Sequence, residues 1–204
     1  MKSRYAVGTV FSILLLGFSP EAILGQTVLR LEEDWSLQVV EPDQRLDSPQ
    51  ITMAILPLGP SSSVLFQIDF NHGSYPNYSA GGMQLRIDQH GSNAVSTQLL
   101  AGQKLRQNSE TIKWTQVVTN QNDRLAFGII NGESQSWGSF GGSHTFISAD
   151  VGTISIDQYR PTDSVENSGA VYAGNRISSL TLLRIRLFTN NGQVVEIPIN
   201  QRAL

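Results

Sequence analysis

Hydrophobic and polar residues alternate with a period of two along much of the chain. From Val64 to Phe70 and from Met83 to Asp88, every second residue is large and apolar. A period of two places successive side chains on opposite faces of a β-strand, so one face of each segment is predicted to enter a core. The same pattern, with turn residues between the segments, predicts further strands over Trp35–Val40, Gln50–Leu56, Ala94–Leu100, Thr111–Thr119, Arg124–Ile130 and Thr145–Ile156.

The last two predicted strands, Leu180–Thr189 and Gln193–Ile199, are separated by Asn190-Asn191-Gly192. Asn-Gly between alternating strands predicts a hairpin with a type I′ turn, which requires positive φ at both central residues. Pro198 has no N–H to donate to a ladder, so it is expected at a sheet edge or a strand end. The core-facing side chains of the first strand are then Leu183, Ile185 and Leu187.

No segment longer than about two turns combines a helical period with helix caps. About ten or eleven short strands therefore have to enclose the core, either as two packed sheets or as a barrel. We predict an all-β fold, a single two-sheet antiparallel sandwich. Two immunoglobulin-like units are the alternative, which is disfavoured because no Pro- or Gly-rich hinge divides the chain.

The N-terminal segment has the pattern of a secretory signal peptide. Lys2 and Arg4 form a basic start, residues 5–18 are almost entirely apolar, and Ala22-Ile23-Leu24-Gly25 provides small residues before Gln26. The apolar run is shorter than the roughly 20 residues of a membrane-spanning helix, so no permanent membrane anchor is expected. The pattern predicts a signal peptide over 1–25, a β-sandwich domain over 26–204, and a protein that is secreted or lies in the periplasm or cell envelope. An exported chain without cysteine suits a bacterial protein.

Composition excludes several classes of partner. The formal net charge is −3, and a mildly acidic protein is a poor partner for nucleic acid, which needs a basic surface. The chain has no cysteine, so disulfides and zinc thiolates are excluded. Only 15% of the residues are charged, which predicts a largely neutral surface with hydrogen-bonding groups suited to sugars.

Two loops and one turn interrupt the strand pattern. The loops cover 71–82 and 157–175, and loops of this length are functional, disordered or crossovers that cover a sheet edge. In the turn, glycines flank Trp137 and Phe140. An exposed indole there would be a platform for a sugar ring, whereas a buried one would close the end of the core.

Motifs for catalysis or metal binding are not found. His72, His90 and His144 are far apart in sequence and lack the spacing of a zinc motif, and there is no nucleophile elbow. Asp69 and Asp88 fall on the outward positions of predicted strands and are the best candidates for a paired-carboxylate glycosidase. We therefore predict no catalytic residue, no metal ligand and no cofactor, and keep the glycosidase as an alternative.

The strand pattern of the mature chain resembles concanavalin-like jelly-roll β-sandwich domains. The chain lacks the Glu-x-Asp-x-x-Glu strand of the glucanases with that fold, so the resemblance implies a fold and no activity. The stretch from Trp137 to Gly142, followed by Ser168 to Phe188, is similar to uncharacterised exported bacterial proteins, and this similarity implies no particular site.

The leading functional hypothesis is a non-catalytic exported protein that binds glycan or another envelope component. A glycan-active hydrolase or lyase on the same surface, and a purely structural envelope or matrix protein, are the alternatives. The predicted ligand-binding residues are Trp137, Tyr75, Tyr78, Gln84, Arg86 and Asp88.

Overall fold

The computed structural model describes residues 26–40, 48–56, 64–71, 82–90, 92–99, 105, 107–121, 124–150 and 155–204. The predicted signal segment 1–25 and the loop residues 72–81, which include His72, lie outside these ranges. One short α-helix, α1 (Pro161–Asn167), is present in the described part of the chain. The strands are β1 (Val28–Val39), β2 (Gln50–Ile55), β3 (Val64–Phe70), β4 (Met83–Gln89), β5 (Ser92–Leu99), β6 (Thr111–Gln121), β7 (Arg124–Ser134), β8 (Gly138–Phe140), β9 (Phe146–Ala149), β10 (Gly169–Tyr172), β11 (Ile177–Thr189) and β12 (Val194–Arg202).

The strands form two antiparallel sheets. Sheet A has seven strands in the order β12-β11-β1-β6-β7-β8, and β9 also pairs with β7. Sheet B has five strands in the order β10-β2-β3-β4-β5. The prediction of an all-β sandwich is therefore confirmed.

Aromatic residues join the inward faces of the two sheets. The Phe66 ring of sheet B lies 5.1 Å from the Phe127 ring of sheet A, and the Phe70 ring lies 4.7 Å from the Trp114 ring in an edge-on arrangement. Trp35 and Trp114, which lie within predicted strands, are both fully buried. Burial of such large side chains provides most of the driving force for sandwich formation.

The predicted C-terminal hairpin is present, but its turn is of a different type. Only Gly192 has positive φ, at 82°, and Thr189 N–H donates to the Gln193 carbonyl at 3.0 Å. These features belong to a three-residue loop with a bulge at glycine and not to the predicted type I′ turn. Leu183 is also not among the buried core residues, because the register between β11 and β1 shifts between Leu182 and Arg184.

One edge strand of each sheet, β12 in sheet A and β10 in sheet B, carries features that oppose further strand pairing. In β12, Gln193 forms a hydrogen-bonded pair with Thr189, and hydrogen-bonded pairs alternate with non-hydrogen-bonded pairs along an antiparallel ladder. By this alternation, the backbone nitrogen of Pro198 points toward the free edge. Asn200, with φ of 51°, interrupts the regular strand two residues later. In β10, the pairing register with β2 shifts at Val171, which is 63% exposed. Proline and bulges at an edge disfavour association with another strand.

Two aromatic side chains occupy the space above glycines of β7. A Cβ added to Gly128 would lie 2.5 Å from the Phe146 ring and equally close to the Thr145 carbonyl oxygen, and one added to Gly132 would lie 2.4 Å from the Phe140 ring. Asn131, with φ of 53°, marks the irregularity between these two glycines. Glycine at these positions lets β9 and β8 place an aromatic ring directly on β7.

The segment between β9 and β11 contains a helix and a strand that the sequence pattern does not predict. Helix α1 begins with Pro161, a favourable residue for the first helical position, and packs against β2 and β11. Its buried residues are Asp163, Ser164 and Val165. The segment then continues as β10 along the edge of sheet B.

Candidate functional site

Sheet B carries a group of polar side chains on its outward face. Because Phe66, Ile68 and Phe70 of β3 enter the core, the alternating residues Gln67 and Asp69 face away from it. Asp69 is nevertheless only 5% exposed. An outward carboxylate that is nearly buried has to be surrounded by other polar groups, because an unpaired buried charge is strongly unfavourable.

Side chains from three neighbouring strands provide this environment. Thr52 Oγ1 of β2 donates to Asp69 Oδ1 at 2.7 Å, and Gln67 Nε2 of β3 donates to the same oxygen at 2.9 Å. Arg86 Nε of β4 lies 3.6 Å from Asp69 Oδ2. The strand registers explain the arrangement, because Thr52 pairs with Asp69 and Gln67 pairs with Arg86.

We call the outward surface formed by these residues the polar face. It also includes Gln84 and Asp88, which precede and follow Arg86 at alternate positions of β4 and are half-buried. Three residues predicted as ligand-binding therefore lie on one surface. The polar face consists of Thr52, Gln67, Asp69, Gln84, Arg86 and Asp88.

Trp137 lies on the other side of β3. Its ring centroid is 6.1 Å from that of Phe70 and 5.3 Å from that of Phe140, and it packs at the margin of the hydrophobic core. The half-buried indole is thus separated from Arg86 by the thickness of sheet B. Tyr75 and Tyr78, the other predicted aromatic ligands, lie outside the described residues.

A buried carboxylate fixes the turn that carries Trp137. The Glu110 side chain, which has no exposed surface, accepts hydrogen bonds from Ser136 N at 2.8 Å and Ser136 Oγ at 2.7 Å. The Trp137 N–H donates to Ser134 Oγ at 2.8 Å. These bonds hold the indole against the end of the core.

The geometry does not support a pair of catalytic carboxylates on the polar face. Asp69 pairs in register with Gln84, whereas Asp88 pairs with Leu65, so the two acids are offset by four residues. Four residues of strand correspond to about 13 Å, more than the roughly 5–10 Å between the two acids of a glycosidase.

A second polar cluster lies inside the sandwich and is centred on Glu33. This carboxylate has no exposed surface and accepts hydrogen bonds from Gln116 Nε2 at 2.6 Å, from Trp35 Nε1 at 2.9 Å and from the Tyr159 hydroxyl. Burial raises the pKa of Glu33 above its ordinary value of 4.5, although the surrounding donors lower it in part. Burial and the neighbouring Glu33 charge also raise the pKa of Tyr159, which keeps its phenol protonated and able to donate.

The outward face of sheet A carries alternating charges that neutralise one another. Arg186 Nη2 lies 2.8 Å from Glu32 Oε2 and 2.9 Å from Asp34 Oδ1. Arg184 Nη2 lies 2.6 Å from Asp34 Oδ2. Hydrogen bonds to Asp34 and Glu196 raise the pKa of Arg184 above its ordinary value. Each of these charged side chains lies beside an opposite charge, so the network is compensated within itself.

The described histidines do not form a metal centre. His90 and His144 are exposed, and the described residues contain no group of three or more His, Asp or Glu side chains placed to hold a metal ion. None of the described helices is long and apolar enough to cross a membrane.

The sequence predicts Gln84, Arg86 and Asp88 as ligand-binding residues, and the structure places the three on one surface. The sequence pattern does not indicate the residues that surround Arg86. The strand pattern indicates Asp69 only as a candidate acid, and it does not indicate Thr52 and Gln67 as its partners. Thr52 is seventeen positions away from Asp69 in the chain, and period-two alternation alone does not show which strands are neighbours. The internal cluster around Glu33 was also missed.

No protein-family model matches this chain, and no curated protein matches it significantly.

Proposed function

We propose that this chain is an exported, non-catalytic β-sandwich protein that binds glycan or another envelope component through the polar face. The observation that carries the proposal is the nearly buried Asp69, which accepts hydrogen bonds from Thr52 and Gln67 and lies beside Arg86. Such a network holds polar side chains in fixed positions before a ligand arrives. Fixed positions reduce the conformational entropy that is lost on binding.

The chemistry of the polar face supports a hydroxyl-bearing ligand. Two side-chain amides, Gln67 and Gln84, contain both a donor and an acceptor, and Arg86 contributes further donors. These groups are half-buried, so they are positioned by their neighbours and still reachable from solvent. Polar groups placed in this way on a rigid sheet are the usual means of orienting a bound polar molecule.

Export and the jelly-roll topology belong to the same proposal. The basic start, apolar run and small residues before Gln26 support cleavage after Gly25. In the order β11-β1-β6-β7, the late strand β11 lies beside the first strand β1, as in a Greek key. The strands β2–β5, which lie between β1 and β6 in the sequence, belong to sheet B. This order supports a jelly-roll relationship to concanavalin-like domains. Intact-mass analysis of protein recovered from its host tests export, because the proposal expects a chain that begins at Gln26.

Binding is tested by screening purified protein against an array of glycans and envelope polysaccharides. We expect Arg86→Ala to abolish the binding seen with wild type. Arg124→Ala, which removes an exposed arginine from sheet A, is the matched control and should bind normally. Thermal unfolding of both variants shows whether they remain folded. Equal binding by Arg86→Ala and wild type, or no binding by wild type, would reject the proposal.

A further inference from the structure

The polar face contains one cationic side chain between two carboxylates. Arg86 lies beside Asp69 on β3, and Asp88 lies two positions farther along β4. The Arg86 charge is therefore already compensated by a carboxylate of the protein. A site that binds a carboxylate or sulfate group normally offers an uncompensated arginine or lysine for a bidentate contact.

The polar face contains hydrogen-bond acceptors as well as donors for a ligand. The Gln67 amide nitrogen donates to Asp69, and this bond does not use the Gln67 carbonyl oxygen. The Arg86 side chain keeps 30% of its surface exposed, although its Nε is buried. An acceptor and a donor thus lie on paired positions of adjacent strands, where Cβ atoms are about 5 Å apart. A hydroxyl group both donates and accepts, so it can satisfy both groups, whereas a carboxylate or sulfate can only accept.

The surrounding charge acts in the same direction. The chain has a formal net charge of −3, and a negative protein repels polyanions at a distance. Short-range compensation at Arg86 and long-range repulsion both disfavour an acidic polysaccharide.

From these observations we infer, on the basis of the proposed function, that the ligand of the polar face is a neutral, polyhydroxylated glycan and not an acidic one. Arg86 and the amide nitrogens donate to sugar hydroxyl oxygens, while the Gln67 carbonyl and the Asp88 carboxylate accept from sugar hydroxyls. Gln84, Arg86 and Asp88 span about 13 Å of strand, which favours an oligosaccharide over a single sugar.

Asp69→Asn provides a direct test, because it removes the charge that compensates Arg86 and leaves a side chain of the same shape. Binding is measured at low salt to neutral laminarin and mannan oligosaccharides and to anionic alginate and pectate. Wild type is expected to bind a neutral probe and neither anionic probe. Asp69→Asn is expected to lose about tenfold in neutral-probe affinity, the effect of a weakened hydrogen-bond network, and to gain measurable affinity for the anionic probes.

Glu166→Gln makes the same change of charge at an exposed position of α1 and should match wild type. If Asp69→Asn is unfolded, Arg86→Gln replaces it and should weaken neutral-probe binding without any gain for anionic probes. Preferential binding of wild type to alginate or pectate would overturn the inference but preserve the proposed function. Binding to none of the probes would overturn the inference, and it would also reject the proposed function if the wider array were negative. An Asp69→Asn variant that is folded and binds like Glu166→Gln would overturn the assignment to this face.

Discussion

The Tyr159 hydroxyl donates a hydrogen bond to the Glu33 carboxylate inside the sandwich. Glu33 belongs to β1 of sheet A, whereas Tyr159 lies two residues before the first residue of α1. The bond therefore fixes the start of α1 to the inner face of sheet A. Because β10 follows α1 and pairs with β2, the same attachment helps to position the edge of sheet B, where Thr52 contacts Asp69.

Glu33→Gln is expected to change how stability depends on pH. The raised pKa of Glu33 means that the folded state favours the protonated acid. The contribution of this protonated acid to the free energy of unfolding is fully present below pH 4.5, and it is lost as the pH rises through the pKa of the folded state. Glutamine resembles the protonated acid and does not ionise. The stability of Glu33→Gln relative to wild type should therefore increase from pH 4 to pH 8, measured by urea unfolding at a series of pH values. A constant difference over this range would contradict this account.

Trp137→Ala is expected to destabilise the fold, but by less than removal of a fully buried tryptophan. Trp137 is half-buried against Phe70 and Phe140, whereas Trp114 is 1% exposed. Truncation of a buried tryptophan typically costs about 3–5 kcal/mol, so we expect about 2 kcal/mol for Trp137→Ala. For a domain of this size, each kcal/mol corresponds to about 2–4 °C in Tm. Scanning calorimetry should give the highest Tm for wild type, a lower Tm for Trp137→Ala and the lowest Tm for Trp114→Ala. An unchanged Tm for Trp137→Ala would show that the indole does not support the core.

Much of the fold could be predicted because the relevant signals are local. Alternation predicts the observed faces of Phe66, Phe70 and the β4 residues, and the positions of Trp35 and Trp114 within predicted strands agree with their burial. The three-residue strand β8 and the two-turn helix α1 are too short to display a period. Bulges also escape prediction, because one extra residue shifts every later side chain to the other face, as it does near Leu183.

The buried polar clusters could not be predicted, because their partners are distant in the chain. Glu33 stands in an acidic run of three residues that is typical of a solvated surface, although alternation with Leu31 and Trp35 directs it inward. Its hydrogen-bond partners Gln116 and Tyr159 are 83 and 126 positions away. Only the assembled sheets bring these groups together.

Gly128→Ala is expected to destabilise the protein through overpacking. The new methyl group would lie 2.5 Å from both the Phe146 ring and the Thr145 carbonyl oxygen, so β9 would have to move. Overpacking of this kind typically costs about 1–3 kcal/mol. Gly169→Ala is the matched control, because no atom lies within 4 Å of its added methyl group. Chemical unfolding should show a lower midpoint for Gly128→Ala alone, and equal midpoints for the two variants would disprove close contact between Phe146 and β7.

The edge strand β12 is expected to associate when its protective residues are removed. Replacing Pro198 by valine restores a backbone donor at the free edge, and replacing the exposed Glu196 by valine removes a charge. Sedimentation velocity should show a larger species for the double variant than for wild type at the same concentration. Glu166→Val adds a similar apolar side chain on α1 without a new backbone donor, and it should sediment like wild type. Identical sedimentation of all three proteins would show that these two residues do not protect the edge.

Titration of the ¹⁵N-labelled protein with a neutral laminarin or mannan oligosaccharide tests the proposed binding surface most directly. Two-dimensional NMR spectra report each backbone amide and the side-chain amides of Gln67 and Gln84 separately. We predict that the largest shifts occur at these side-chain amides and at the backbone of Thr52, Asp69 and Arg86, and that resonances of the sheet A charge network stay unchanged. Shifts centred on the Trp137 indole or on Arg184 and Arg186, with β3 and β4 unaffected, would contradict the assignment of binding to the polar face.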